Sequence, residues 1–305
     1  MKKKWYRPVL YQIACIMLRL LHILPRLWVL LFARGMGKTA FLVLREEQKK
    51  TIAHLSYAFG TVKSRAELIK IAKCVFENLA LTACDFALFP KLTAKTINNL
   101  VSVVNIEIID NVVKKNRQGA IILTAHLGNW ELLAATLMVR GYKGFVLAKE
   151  INYPGYNDII TQLRESQGVY SCYRGRFFRE ILKRLKAGES VGVLPDQDIS
   201  DVEGIFINFF GKPAYTPTGP ARLAFAAHVP IVVAFMIREH NAYRLIIDRS
   251  IEPIVFEGEN KTSAVERITR EWSQVVEQYI MQYPEQWAWM HNRWKTKEKT
   301  VRNGE

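Results

Sequence analysis

The chain has 305 residues, which is enough for one large domain or two small ones. Its hydrophobic fraction of 50% and charged fraction of 23% exclude large-scale disorder. The formal net charge of +15 predicts an anionic partner: a membrane surface, an acidic protein, a phosphorylated substrate or a nucleic acid. None of the four cysteines has C-x-x-C spacing, which argues against a zinc site or a disulfide framework and favours reduced thiols.

The first 50 residues are both basic and apolar. They hold eleven Lys or Arg and two Glu, and an apolar stretch at residues 8–33 follows the first lysines. Because a nucleic-acid-binding arm is usually polar throughout, this combination favours a membrane surface. Arg19, His22 and Arg26 interrupt the stretch, whereas a transmembrane helix needs about 20 apolar residues with few charges. We therefore predict an amphipathic or shallowly inserted anchor over residues 1–34. A true span with a cytoplasmic N-terminus and a helix packed on the domain are the alternatives.

Residues 35–100 are predicted to form a helical region that packs on the core. Apolar residues recur every three or four positions in 38–60 and 64–89, which is the spacing of amphipathic helices. Ser64 and Glu67 have the spacing of a capping box, so the second helix is expected to begin there.

In residues 101–305, short apolar runs alternate with helical stretches. The predicted strands are 120–124, 144–148, 169–172, 190–194, 231–237 and 243–248. The predicted helices are 130–140, 157–166, 177–187, 217–227 and 263–282. This alternation predicts an α/β fold, with a mostly parallel central sheet flanked by helices and an antiparallel pair formed by the last two strands.

The sequence TAHLGNWE at residues 124–131 joins a predicted strand to a predicted helix. Ligands of α/β proteins usually lie at the carboxyl ends of strands, which is where His126 falls. Histidine is the commonest general base near neutral pH, and a carboxylate that accepts its other ring N–H fixes the tautomer. We predict that His126 in the loop is the base and that Glu131 on the helix is its partner. A structural histidine beside a capping glutamate is the alternative.

The segment LPDQD at 194–198 follows another predicted strand at the same edge of the sheet. Asp196 is expected to pair with Arg174, which lies with Arg176 in a basic stretch at 164–186 that holds seven Lys or Arg and two Glu. Two close carboxylates also suggest a metal site, but no third ligand has matching spacing, so no metal is predicted.

Two later segments each have a structural and a functional interpretation. Thr218 and Gly219 either cap a helix or closely approach a substrate. Trp287 and Trp289, in an aromatic and basic tail, suit a membrane interface, stacking on single-stranded nucleic acid, or packing on the core. No catalytic role is assigned to His291.

Five sequence blocks occur in a fixed order: TAHLGNWELLA, YRGR, LPDQD, FFGKPAYTPTGPARLA and PEQWAWMHNRWK. With these blocks the chain resembles the bacterial lipid A biosynthesis acyltransferases of the lauroyl and myristoyl type, a branch of the lysophospholipid acyltransferase group. The H-x4-E motif alone is weak evidence, but five ordered blocks are specific, and the resemblance covers about residues 5–296.

The resemblance implies a reaction. His126 is the general base of the H-x4-E motif and Glu131 is its partner; an acceptor hydroxyl attacks a thioester carried by acyl carrier protein or acyl-CoA, and no metal or cofactor is needed. Arg174 or Arg176 would hold a phosphate. The other residues expected to bind substrate are Asn129, Asp196, Gln197, Asp198, Thr218 and Gly219. The backbone at Gly128–Asn129 or a nearby arginine would stabilise the oxyanion.

The resemblance also implies the partners and the location. The partners are an anionic membrane surface, acyl carrier protein and a phosphorylated glycolipid acceptor, namely a lipid A precursor. The location is the cell inner membrane, with the active site on the cytoplasmic face. No nucleic acid is expected as a partner. The alternatives are the same chemistry on another glycolipid or a lysophospholipid, and a non-catalytic basic membrane-binding protein.

Overall fold

The computed structural model describes residues 7–151, 153–173 and 178–297, and Arg174 and Arg176 lie outside them. The described chain begins with four helices, α1 (Arg7–Ile23), α2 (Arg26–Val43), α3 (Arg45–Phe59) and α4 (Arg65–Ala87). The single helix predicted over 38–60 is wrong, because α2 and α3 meet at Leu44 with a bend of 90°.

Helix α4 begins at the predicted capping box. The Ser64 hydroxyl accepts the Glu67 backbone N–H, and the Glu67 carboxylate accepts the Ser64 backbone N–H at 2.8 Å. Helix α2 packs on α4 through a small residue, since a Cβ atom at Gly37 would lie 2.5 Å from Glu77 Cα. The close approach of these two backbones fixes the N-terminal helices on the rest of the molecule.

Seven described strands form the central sheet in the order β1-β9-β8-β2-β5-β3-β4. They are β1 (Val101–Val104), β2 (Ile121–Leu123), β3 (Gly144–Ala148), β4 (Tyr170–Tyr173), β5 (Ser190–Val193), β8 (Ile231–Glu239) and β9 (Ala242–Ile251). All neighbouring strands are parallel except β8 and β9, which pair antiparallel. The predicted mostly parallel α/β sheet and its antiparallel pair are therefore confirmed.

Three strands are not predicted from the sequence. Strand β1 is a short edge strand, and β6 (Gly204–Phe209) and β7 (Lys212–Pro217) form a separate two-stranded hairpin. The prolines of β7 are typical of a loop. Both strands of a two-stranded ribbon are edge strands, however, and edge strands tolerate proline. Phe210 and Gly211 have positive φ values of 52° and 74°, which matches the twist that a tight hairpin turn needs.

Helices cover both faces of the central sheet. The remaining described α-helices are α5 (Ala94–Leu100), α6 (Ile106–Ile109), α7 (Trp130–Val139), α8 (Pro154–Glu165), α9 (Phe178–Lys186), α10 (Gly219–Ala227) and α11 (Lys261–Gln282). One buried cluster joins the sheet to α3, α4, α9, α10 and α11, and a second joins it to α5, α6 and α7. Burial of these apolar faces on a common sheet is the main stabilising contribution.

The aromatic tail after α11 is part of the core. Trp287 and Trp289 are fully buried, and their rings meet edge to face with centroids 4.7 Å apart. Packing on the core is therefore the correct interpretation of these two tryptophans, and a place at the membrane interface is wrong for them. Their burial brings the C-terminal segment to the edge of the sheet where His126 lies.

Helices α1 and α2 leave many apolar side chains exposed. Exposed apolar residues on these helices and at their junction include Val9, Ile13, Ile16, Leu20, Ile23, Leu27, Trp28 and Leu31. By length and hydropathy, none of the described helices reaches the threshold for a membrane span on its own, and only the bent pair α2–α3 reaches it jointly.

Candidate active site

A cleft of about 760 Å³ opens at the carboxyl ends of β2, β3 and β5. Apolar side chains that line it include Val146, Leu147, Ile160, Ile181, Val193 and Leu223, and polar ones include His126, Glu131, Lys149, Arg164, Gln197 and Lys295. A cleft with both linings can bind an amphiphilic molecule, since apolar walls take a hydrocarbon chain and charged groups orient a polar head.

His126 is held by Asp196, which follows β5. The ring Nδ1 lies 2.8 Å from Asp196 Oδ1, and the His126 backbone N–H donates to Asp196 Oδ2 at 2.9 Å. Trp287 Nε1 donates to the same Oδ2 at 2.8 Å. The buried carboxylate therefore fixes both the backbone and the ring of His126, while the rest of the ring faces the cleft.

The Asp196 carboxyl is ionised in this environment. Burial by itself raises its pKa, but the charge of His126 and hydrogen bonds from His126 and Trp287 outweigh burial and hold the pKa well below its usual value. When His126 is in its neutral form, an ionised acceptor at Nδ1 keeps the ring proton on that nitrogen and leaves a lone pair on Nε2. Asp196 thus has the orienting position that the sequence assigned to Glu131.

Glu131 pairs with Arg164 instead of His126. Its two carboxylate oxygens accept from Arg164 Nη2 at 2.7 Å and from Arg164 Nε at 2.9 Å, and within the described residues it makes no hydrogen bond to His126. Glu131 is the second residue of α7, so the helix directs its side chain toward α8, where Arg164 lies. The predicted contact between His126 and Glu131 is wrong, although both side chains line the cleft.

The expected pairing of Asp196 with Arg174 and the expected role of Arg176 involve residues outside the described ones. Both carboxylate oxygens of Asp196 are already engaged by His126, and one of them also by Trp287. Asp196 is buried behind His126, so it supports the imidazole from behind and does not line the cleft itself.

Asn129 is buried and has a structural role, which corrects its assignment to substrate binding. Its side-chain oxygen accepts the Leu132 backbone N–H at 3.0 Å and caps α7, and its side-chain nitrogen donates to the Tyr243 hydroxyl at 3.2 Å. Tyr243 in turn bonds Asp85, a buried carboxylate that also pairs with Arg238 at 2.9 Å. The cap of α7 is therefore part of a buried polar network.

The backbone at Gly128–Asn129 has no free N–H for an oxyanion, so that expectation is wrong as well. Gly128 N–H donates to Gln286 O at 3.0 Å and Asn129 N–H donates to Met236 O at 2.9 Å. Gly128 has a φ of 64°, and a Cβ atom there would lie 1.9 Å from Met236 O. Only glycine fits this turn, because both the φ value and the contact exclude a side chain.

The remaining residues expected to bind substrate lie in different places. Gln197 and Asp198 line the cleft, and the Asp198 carboxylate accepts both the N–H and the hydroxyl of Thr296 at 2.7 Å. Gly219 also lines the cleft, as the first residue of α10. Thr218 is buried and donates to Glu203 O at 3.2 Å, so it neither caps α10 with its side chain nor faces the cleft.

His291 is a neighbour of His126 that sequence reasoning missed. The two ring centroids lie 5.0 Å apart, and His291 Nε2 is 2.9 Å from Gln197 Nε2. The two histidines are 165 positions apart in the chain, so no local pattern links them. Only the burial of the tail next to β2 brings them together.

The site defines a class of enzyme. A histidine whose Nδ1 is bound by a buried carboxylate, and whose other side faces an amphiphilic cleft, is the arrangement of a general base that activates a hydroxyl or water. A family model described as bacterial lipid A biosynthesis acyltransferase matches residues 2–296. The chain belongs to this family and is an acyltransferase, which confirms the resemblance found in the sequence.

Proteins similar in sequence to this chain are named as acyltransferases. The lipid A biosynthesis lauroyltransferase of Escherichia coli K12 is 25% identical over 279 residues, which are 88% of this chain and 85% of that protein. The lipid A biosynthesis myristoyltransferase of the same organism is 23% identical over 263 residues, 86% and 79% of the two chains. A phosphatidylinositol mannoside acyltransferase of Mycobacterium tuberculosis (strain CDC 1551 / Oshkosh) is 28% identical over 110 residues, 35% and 34% of the two chains.

Proposed function

We propose that this acyltransferase moves a fatty acyl chain from a thioester donor to a hydroxyl of a lipid A precursor, with His126 as the general base. The observation that carries the proposal is the orientation of the His126 imidazole: its Nδ1 lies 2.8 Å from Asp196 Oδ1 while the ring lines the cleft. Similarity to the lauroyltransferase and the myristoyltransferase over most of both chains supports the choice of acceptor.

The transfer has two steps. His126 Nε2 takes the proton of the acceptor hydroxyl while its oxygen forms a bond to the thioester carbonyl carbon, and the carbonyl oxygen becomes an oxyanion. The tetrahedral intermediate then collapses, the C–S bond breaks, and the proton on Nε2 passes to the leaving thiolate. General-base help of this kind contributes about 10²–10⁴-fold, and Asp196 stabilises the imidazolium that forms between the steps.

The linings of the cleft fit both substrates. Val146, Ile160 and Leu223 provide apolar surface for an acyl chain, while Lys149 and Lys295 provide positive charge near the opening for the phosphates of a glycolipid. Arg164 is neutralised by Glu131, so it shapes the wall more than it adds net charge. An acidic donor such as acyl carrier protein would be attracted by the net charge of +15.

Helices α1 and α2 are proposed to lie on the cytoplasmic face of the inner membrane. Their exposed apolar side chains form a surface of the kind that marks membrane contact. Arg19 and Lys38 are exposed on the same helices. Tyr11 of α1 packs on Tyr153 and Tyr156 at the start of α8, with ring centroids 5.8 and 6.0 Å apart. Since α8 also lines the cleft, a lipid acceptor would reach His126 from the surface that these helices contact.

Another glycolipid is the second candidate acceptor. The similarity to a phosphatidylinositol mannoside acyltransferase favours it, although that match covers only 35% of this chain. The chemistry at His126 would be the same with either acceptor, so the two candidates differ only in the head group that the cleft binds.

The proposal is tested by acyl transfer with purified full-length chain in mixed micelles. Lauroyl-, myristoyl- and palmitoleoyl-thioesters of acyl carrier protein and of coenzyme A are offered with a tetra-acylated lipid A precursor, a phosphatidylinositol mannoside or a lysophospholipid. We expect transfer to the lipid A precursor that collapses in His126→Ala, with an unchanged circular dichroism spectrum. Transfer only to another acceptor would refute the proposed acceptor, and activity that survives in His126→Ala would refute the base.

A further inference from the structure

Gln197 lies between the two imidazoles of the site. Its Nε2 is 2.9 Å from His291 Nε2, 3.2 Å from His126 Nε2 and 3.3 Å from His126 Nδ1. The two ring nitrogens of His126 are nearly equidistant from Gln197 Nε2. The amide therefore lies against the Cε1 side or the face of the ring, away from the direction of the Nε2 lone pair. The base therefore stays open to a hydroxyl while an N–H donor lies next to it.

The Gln197 side-chain amide has a second donor hydrogen beyond the one that His291 accepts. A side-chain NH₂ carries two hydrogens, and the neutral His291 ring accepts one of them at Nε2. Burial, followed by the charge of His126, lowers the pKa of His291 to about 4, so the ring is neutral at pH 7 and can act as an acceptor. The second hydrogen of Gln197 Nε2 has the His126 nitrogens as neighbours, at 3.2 and 3.3 Å. Because the Nε2 lone pair does not point at Gln197, this contact is weak, and an acceptor bound beside His126 would take the hydrogen.

We propose that Gln197 is the oxyanion donor of the acyl transfer and that His291 is the positioning residue that orients its amide; this rests on the proposed function. When a hydroxyl oxygen on His126 Nε2 bonds to the thioester carbon, the carbonyl oxygen is only two bonds from that hydroxyl oxygen. A donor 3.2 Å from the same Nε2 is within hydrogen-bond reach of it.

Three backbone N–H groups near His126 are already engaged. The N–H groups of Gly128 and Asn129 donate to Gln286 O and Met236 O, and the His126 N–H donates to Asp196. Gln197 lines the cleft, whereas His291 lies behind it. The position of Gln197 thus matches the requirement that an oxyanion donor be fixed before the reaction begins.

During the reaction, the Gln197 N–H donates to the carbonyl oxygen while the C–O bond forms and the hydroxyl proton moves to His126 Nε2. When the intermediate collapses, the oxygen regains its double bond, the C–S bond breaks, and the thiolate takes the proton back from His126. Gln197 neither gains nor loses a proton, so its contribution is confined to the charge on the oxyanion.

The experiment compares Gln197→Ala, His291→Leu and His291→Gln with wild type, measuring kcat and KM for the donor and acceptor that the wild type uses. We expect Gln197→Ala to lower kcat about 10²–10³-fold, as loss of one oxyanion donor does, with KM changed less than about threefold. His291→Leu should lower kcat by a smaller factor. His291→Gln should restore most of it, because the new amide oxygen can accept near the position of Nε2.

Gln197→Glu serves as a second variant that keeps the side-chain shape and removes both donors; it should be as slow as Gln197→Ala. A kcat within about threefold of wild type in either Gln197 variant, or an effect on KM alone, overturns the inference. Equal losses in His291→Leu and His291→Gln overturn the positioning role. A wild type that transfers no acyl group removes the proposed function, and the inference with it, whereas an active wild type with unaffected variants removes the inference alone.

Discussion

Asp196 holds His126 through both of its carboxylate oxygens, and this arrangement predicts the effect of an isosteric change. Oδ2 accepts two N–H groups, from the His126 backbone and from Trp287, so in Asp196→Asn the amide oxygen is expected to stay there and the NH₂ to face Nδ1. That NH₂ needs an unprotonated Nδ1, which moves the ring proton to Nε2 and removes the base. We expect kcat to fall about 10³–10⁴-fold, measured by acyl transfer.

The folded state of Asp196→Asn should keep its structure, as judged by near-ultraviolet circular dichroism, since the amide has the same shape as the carboxylate. A variant with more than a tenth of wild-type kcat would contradict the assigned orienting role of Asp196. It would return Glu131 to consideration as the partner of His126.

Glu131 and Arg164 form a nearly buried pair, with side-chain exposures of 11% and 15%. A double-mutant cycle on the free energy of unfolding, with Glu131→Gln and Arg164→Met, should give a coupling of about 1–3 kcal/mol, because each single change leaves the other group unpaired. The cycle of Glu131→Gln with His126→Ala is the matched control and should give less than about 0.5 kcal/mol. A larger coupling to His126 than to Arg164 would contradict the observed pairing.

His291 makes stability depend on pH in a defined window. Its pKa is about 4 in the folded state and about 6.5 in the unfolded chain, so between these values the unfolded state binds a proton that the folded state does not. The free energy of unfolding should therefore fall as pH decreases from about 6.5 toward 4. Between pH 7 and pH 5, the free energy of unfolding measured with urea should decrease less for His291→Gln than for wild type. Equal decreases would contradict a neutral His291 in the folded state.

At the scale of elements, the contact between α2 and α4 depends on one glycine. A Cβ atom at Gly37 would lie 2.5 Å from Glu77 Cα, whereas one at Gly35, two positions earlier in the same helix, would meet no atom within 4 Å. Gly37→Ala should lower the free energy of unfolding by about 1–3 kcal/mol through overpacking. Gly35→Ala should raise it by about 0.5–1 kcal/mol, because alanine favours the helix.

Urea unfolding of both variants, followed by circular dichroism, measures the difference. If Gly35→Ala and Gly37→Ala change stability in the same direction, the close approach of α2 and α4 is wrong. The comparison is matched because both substitutions add the same methyl group to the same helix.

For the molecule as a whole, the exposed faces of α1 and α2 form the proposed membrane-contact surface. Trp28 is 63% exposed and Val62, in the turn between α3 and α4, is 75% exposed. Trp28→Asp should weaken binding to phosphatidylglycerol-containing vesicles about tenfold or more, since burying a large apolar side chain contributes about 1.5–3 kcal/mol. Val62→Asp adds the same charge outside α1 and α2 and should change binding little, as measured by co-sedimentation. Equal losses would indicate a general effect of charge.

Local patterns were sufficient for most of the fold and for the position of His126. Apolar runs predicted β2, β3, β5 and the β8–β9 pair, because a buried strand needs continuous apolar residues whatever its neighbours are. The strand–loop–helix pattern placed His126 at the carboxyl edge of the sheet for the same reason. The bend at Leu44 and the proline-containing β7 were missed, since each depends on packing that overrides local propensity.

The sequence by itself determined the α/β sheet, the family and the histidine that faces the cleft, since these depend on residue types at short range and on ordered blocks. Only the tertiary structure decided that Asp196 instead of Glu131 holds His126, that Asn129 is a buried cap, and that Gln197 lies between His126 and His291. The physical reason is that a hydrogen-bond partner is selected by distance in space. Asp196 and His291 lie beside His126, and Trp287 donates to Asp196, because β5 pairs with β2 and the C-terminal tail is buried beside them.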